Sequence, residues 1–176
     1  MYIRPSAALM LCGLVMCAAL AGCTGNNPSP DQPTFYQDLA HSGATLDATA
    51  AASMISGYRS NNGLPAVTVD PELMRLASEQ AHAMAARDKM DHDVGRPFHD
   101  RIRNSPFGGS VAVENISAGY RTLAEAFSGW RDSPPHRANM LNASVTRMGI
   151  AAVYTPSSKY KVFWALILAG GDGHHG

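Results

Sequence analysis

An imidazole, a guanidinium and two amides fall within the fourteen residues Gly129-Trp130-Arg131-Asp132-Ser133-Pro134-Pro135-His136-Arg137-Ala138-Asn139-Met140-Leu141-Asn142. His136 titrates near neutrality, so it can move a proton, or ligate a cation when neutral. Arg137 presents a rigid fork of donors that braces a turn against an acid or a carbonyl, or meets a ligand. Asn139 is an amide of the kind that satisfies loop backbone. No H-E-x-x-H or C-x-x-C run accompanies these residues, so no local metal motif is present. No G-x-S-x-G elbow and no candidate catalytic cysteine exist either, which argues against an acyl-enzyme.

The elements that must position His136 are legible around it. Leu123, Phe127 and Trp130 recur at i, i+4 and i+7, one face of a helix. Thr122 and Glu125 form a capping box at its start. Ser133 then caps a new helix with Pro134 at its first position, so the imidazole falls within the first turn of that helix, shortly after a core-facing tryptophan. Such a join holds a histidine at the rim of a pocket.

Further back, Asp47 predicts the cap of a helix reaching about Asn61, with Ala51, Met54, Ile55 and Tyr58 on one face and Gly63 at its end. Leu64 to Val67 reads as an extended crossing. Asp70 caps a second helix with Pro71 first, burying Leu73, Leu76, Ala77, Gln80, Ala81 and Met84 and fading near Met90. Asp91 to Ser110 reads as irregular. Val111 to Ile116 is rich in β-formers and reads as a short strand or an extended wall. Met148 to Tyr154 and Val162 to Leu168 predict a closing hairpin around Pro156-Ser157-Ser158. Val162 to Leu168 is apolar at both parities and needs cover on both faces. The expectation is an α+β fold with helix layers on either side of a small sheet.

The chain has 176 residues, and its 14 basic and 14 acidic residues cancel. A neutral balance argues against a nucleic-acid partner. At the N-terminus, Arg4, the apolar run Ala7 to Leu20, and Leu20-Ala21-Gly22-Cys23 read as a bacterial lipoprotein signal, with Cys23 as the acylated residue. Residues 1–22 are then the signal peptide, and 23–45, rich in proline and small polar residues, a flexible tether. Within it, Phe35, Tyr36 and Leu39 are candidates to dock. Residues 46–169 are the folded domain, and 170–176 a loose tail whose His174-His175 would catch metals nonspecifically. The expected partner is the membrane, through Cys23, and the expected location the extracytoplasmic envelope. Cys12, Cys17 and Cys23 are the only cysteines, so the domain has no disulfide although its compartment is oxidising.

W-x-x-S-P-x-H-R-x-N-x-L over Trp130 to Leu141 resembles the signature of bacterial members of the CAP superfamily, which groups cysteine-rich secretory, antigen 5 and pathogenesis-related proteins. Arg59-Ser60-Asn61-Asn62-Gly63-Leu64-Pro65, Glu114-Asn115-Ile116-Ser117-Ala118-Gly119 and Thr146-Arg147-Met148-Gly149-Ile150-Ala151 resemble three further family elements, in family order. The resemblance runs from about Asp47 to about Leu168. It implies a three-layer α-β-α sandwich with a small antiparallel sheet, and a cleft that many relatives build from two His and two Glu. His92 and Glu114 match the first of each. Ser133 stands where many eukaryotic members carry the second Glu, and Thr146-Arg147-Met148 where their second His element lies.

The resemblance therefore implies a reduced cluster of His92, Glu114 and His136, with Arg137 and Asn139 beside it in the cleft. Two imidazoles and a carboxylate suit a divalent ion such as zinc, a general acid/base pair, or buried hydrogen bonds that only hold loops together. The ligand would be a lipid, a glycan or a protein; the alternative is a metal-dependent envelope hydrolase using the same cleft. His82 reads as a half-exposed helix histidine, and His99 as a lesser candidate for the cleft.

Overall fold

In the computed structural model, Met1 and residues 32–108 and 110–170 are described. The signal peptide, Cys23 and the His174-His175 tail lie outside them.

The strand β4, Val162–Ala169, is buried along its whole length. Val162, Trp164, Leu166 and Leu168 join one core, while Phe163, Ala165, Ile167 and Ala169 join the other. Period-two alternation thus divides an uninterrupted apolar run between two layers. Antiparallel neighbours flank it: β3, Arg147–Tyr154, and β2, Ala112–Ala118. The hairpin register pairs Tyr154 with Val162. A two-residue strand, β1, Thr68–Val69, adds to β3 in parallel, giving the order β1-β3-β4-β2. The sequence showed only an extended crossing near β1.

Helices α1 (Ala48–Ser60), α4 (Leu123–Asp132) and α5 (Pro134–Met140) supply Ala51, Ile55, Leu123, Ala126, Trp130 and Met140 to the core on the Trp164 side. Helices α2 (Pro71–Arg87) and α3 (Phe98–Arg103) cover the Phe163 side with Leu73, Leu76, Ala77, Ala81, Met84 and Ile102. This is the three-layer α-β-α sandwich expected. Trp130 meets Trp164 edge to face at 6.4 Å between centroids. Phe127 is only half-buried and packs edge-on against Tyr58.

Three of the four predicted caps form, at Asp47, Asp70 and Thr122, while Ser133 makes no capping bond. Asp47 accepts from the Ala50 N–H at 2.9 Å, and Asp70 from Glu72 and Leu73 at 2.9 and 3.1 Å. Thr122 and Glu125 make the capping box. Gly149 lies against the first turn of α2, where a Cβ would stand 2.0 Å from the Leu73 carbonyl carbon. That close approach is the reason for the glycine in Thr146-Arg147-Met148-Gly149-Ile150.

Two expectations are corrected. Residues 32–45, read as the end of a flexible tether, pack on the fold: a short 3-10 turn covers Thr34–Tyr36, and Leu39 is buried. The Leu39 N–H donates to the Arg121 carbonyl at 2.7 Å, and Asp38 pairs with Arg121. Phe35 and Leu39 have apolar surface to bury, which overrides the loop-like composition around them. Residues 91–110 are not all irregular: Pro97 precedes the six-residue α3, which buries Arg101 and Ile102.

Candidate functional site

Glu114, on β2, is the centre of the site. Its side chain is 1% exposed and faces an imidazole and a guanidinium. His92, in the loop after α2, brings Nδ1 to 2.8 Å from Oε1. Arg101, from α3, places Nη2 3.1 Å from Oε1 and 2.8 Å from Oε2, and the better-directed hydrogen bond goes to Oε1. Two further Arg101 bonds hold the loop: Nε donates to the Arg96 carbonyl and Nη2 to the His92 carbonyl. The guanidinium also lies over the Phe98 ring, 5.3 Å from its centroid. Gln80, buried on α2, donates to the Asp91 carbonyl at 2.7 Å and so fixes the residue before His92.

His136 comes from the opposite side. Ser133 occupies the N-cap position of α5 but makes no capping bond to the helix. Its hydroxyl instead meets His136 Nδ1 at 2.9 Å, leaving Nε2 as the free nitrogen. A ladder of amides ties α5 to β2. Asn139 Nδ2 donates to the Glu114 carbonyl and to Asn115 Oδ1, at 3.1 and 2.9 Å, and Asn115 Nδ2 donates to the His136 carbonyl at 3.0 Å. Asn139 therefore positions the cleft from within it. Arg137, expected to brace the turn or line the cleft, is exposed and makes no ion pair with any described residue. Its place on the solvent side of a two-turn helix explains this. His82 is a helix-surface histidine bonded to Ser78, and exposed His99 contacts Asp100.

The two imidazoles titrate in opposite directions. The hydrogen bond to Glu114 raises the pKa of His92, against burial and the Arg101 charge. Burial, followed by the His92 charge, lowers that of His136.

A divalent ion does not fit this arrangement. A guanidinium engages the one carboxylate, His136 is turned to Ser133, and no group of three or more His, Cys, Asp or Glu among the described residues is placed to hold a metal. His92, Glu114 and Arg101 form one hydrogen-bonded cluster, while the His136 ring bonds Ser133. Arg101 was missed because it lies in a stretch without periodicity. The available signal was Phe98 and Ile102 spaced i, i+4 after a proline, which predicts a short helix turning Arg101 inward.

The fold and motifs have counterparts. The chain is 28% identical over 148 residues to the uncharacterized protein YkwD of Bacillus subtilis (strain 168), covering 76% of this chain and 57% of that protein. It thus spans little more than half of that relative's length. An outer surface protein of Borrelia burgdorferi superposes with a TM-score of 0.62 at 18% identity, over 70% of this chain and 91% of that one. An extracellular protein of Bacillus anthracis containing an SCP domain gives 0.59 at 24% identity, over 68% and 39%. At these identities the two structures speak to the fold alone. The sequence profile described as the cysteine-rich secretory protein family matches residues 52–168. That span contains no cysteine, yet the chain belongs to this family, CAP.

Proposed function

We propose that this CAP protein is a lipoprotein anchored through Cys23 on the extracytoplasmic face of a bacterial membrane. It works there by binding a lipid, glycan or protein ligand at the cleft of His92, Glu114 and His136. The observation that carries binding over hydrolysis is the buried Arg101–Glu114 pair. Paired with Arg101 and buried, the Glu114 carboxylate is held away from nucleophilic or general-base work, while the imidazoles leave hydrogen-bonding groups at the cleft. The Bacillus anthracis relative is an extracellular protein, which supports the location. So does the Leu20-Ala21-Gly22-Cys23 run. Among the described residues no helix is long and apolar enough to cross a membrane.

One observation favours the second reading, an envelope hydrolase: paired titratable groups with opposite shifts suit an acid and a base. A metal-dependent version requires Glu114 to leave Arg101.

Sedimentation separates these readings. The mature chain is mixed with cell-wall sacculi or with phospholipid vesicles, and the supernatant is assayed for released fragments. Retention that falls in His136→Ala without fragments supports binding. Fragment release abolished by the same change supports the hydrolase, and neither result discards both. Anchoring is tested apart: Cys23→Ser should move the protein from membranes to the soluble fraction. An unmodified mature N-terminus in mass spectrometry would refute it.

A further inference from the structure

Behind His136 lies a recess of about 230 Å³ to which Ser117, Tyr120, Trp130, Ser133 and His136 contribute. Two of these carry orphaned polar atoms. Ser117 is 7% exposed and its hydroxyl has no protein partner; Trp130 is 1% exposed and its indole N–H has no acceptor. The other tryptophan shows the contrast, since Trp164 Nε1 donates to the Tyr120 carbonyl at 2.9 Å. Ser117 stands opposite Trp164 in the β2–β4 ladder, so it shares the sheet face on which the two indoles meet. Gly129 lets the wall form: a Cβ there would stand 2.1 Å from the Tyr120 hydroxyl, so only glycine allows the phenol to lie on α4.

The lining selects among ligands. It contains no Asp, Glu, Lys or Arg, so a phosphate, carboxylate or ammonium would enter without a counter-charge. Met90, Ile116 and Ala118 line it too, but an acyl chain or aliphatic side chain would leave the Ser117 hydroxyl and the Trp130 N–H unpaired. The volume falls below the roughly 300–1,000 Å³ of drug-sized pockets, enough for one ring and not for a chain. An uncharged ring carrying hydroxyls, with an apolar face for Tyr120, meets all three conditions.

We propose that this recess binds one neutral sugar ring of a glycan, with Ser117 as a contact residue. The proposal rests on the binding reading and narrows its ligand to a glycan.

The test uses the two indole N–H signals of the ¹⁵N-labelled mature chain, carrying Cys23→Ser to stay in solution and assigned with Trp130→Phe. Glucose, galactose, mannose and N-acetylglucosamine are titrated into tens of millimolar, with sodium acetate and n-butanol as charged and apolar controls. A saturable shift of the Trp130 signal by at least one sugar, with smaller shifts from both controls, supports the proposal. Ser117→Ala should then bind that sugar about three- to tenfold more weakly, the loss of one hydrogen bond. Its melting temperature should not fall, because the hydroxyl removed has no partner. No saturable shift with any sugar overturns the proposal, as does unchanged sugar affinity in Ser117→Ala or a larger response to butanol or acetate. If sacculi or vesicles still retain the protein in that event, the binding reading stands and only the sugar recess fails.

Discussion

Two arginines are buried to the same degree, Arg59 at 0% and Arg101 at 1% exposure, and solve the same problem differently. Arg59 meets no acid. Its guanidinium donates to the carbonyls of Pro65, Met140, Asn142 and Val145, at 2.8 to 3.0 Å. Backbone dipoles alone carry the charge, and they join the end of α1 to the loop before β3. Arg101 instead meets Glu114 and leaves Nη1 without a hydrogen-bond partner. The first arrangement is closed, with nothing left over for a ligand. The second adjoins a half-exposed imidazole, His92, and so connects the interior to solvent. Equal burial therefore does not mean equal role; what each charge pairs with separates a brace from a site.

Arg59→Met should have the largest effect. Four carbonyls lose their donor, and each orphaned group costs about 1–3 kcal/mol. The total of roughly 4 kcal/mol or more approaches the whole stability of an ordinary domain, and urea denaturation should show it. Arg101→Met comes next, at about 3–5 kcal/mol, because Glu114 is left as an uncompensated buried charge. Unlike the first loss, this one should be largely recovered by adding Glu114→Gln, which removes the stranded charge. A double variant as unstable as the single would mean that Arg101 acts as Arg59 does. Asn139→Ala should cost less, about 1–3 kcal/mol, by freeing the Glu114 carbonyl and Asn115 Oδ1. Heteronuclear NMR should then show the His136 and Ser133 signals moving while those around Arg59 stay.

His92→Ala should have the smallest effect, and one that depends on pH. The folded pKa of His92 lies above its ordinary 6.5. The stabilisation is therefore fully present below about pH 6 and is lost as pH rises through the folded value. The melting-temperature gap between wild type and variant should be widest in acid and close in alkali. A gap that widens with pH would contradict the raised pKa.

The difference between these arginines also marks how far the sequence could be read. The helices with strong caps, at Asp47, Asp70 and Thr122, were legible, because a cap is a local interaction between residues two or three apart. So was the two-sided burial of β4, since strand parity is written in the chain itself. Arg59 lies at i+8 from Ala51 and i+4 from Ile55, on the buried face of α1. Its position was thus readable, but its partners, 81 to 86 residues away at Met140 to Val145, were not. The resemblance named His92 and Glu114, whose side chains meet at 2.8 Å. It could not supply Arg101, which changes the character of the carboxylate. Nor could it show that Ser133, at the place of a second Glu, serves His136 rather than an ion. Leu39, a candidate to dock, does bury, while Tyr36 stays exposed; a proline-rich stretch does not say which of its apolar side chains finds a surface to receive it.

The place of β4 in the chain has a kinetic consequence. It is the last strand of the fold, and both cores close on it. Until Val162–Ala169 is available, neither core has its central wall, β2 has no partner strand, and β3 has only the two-residue β1. Folding therefore waits on long-range pairing, which is slow.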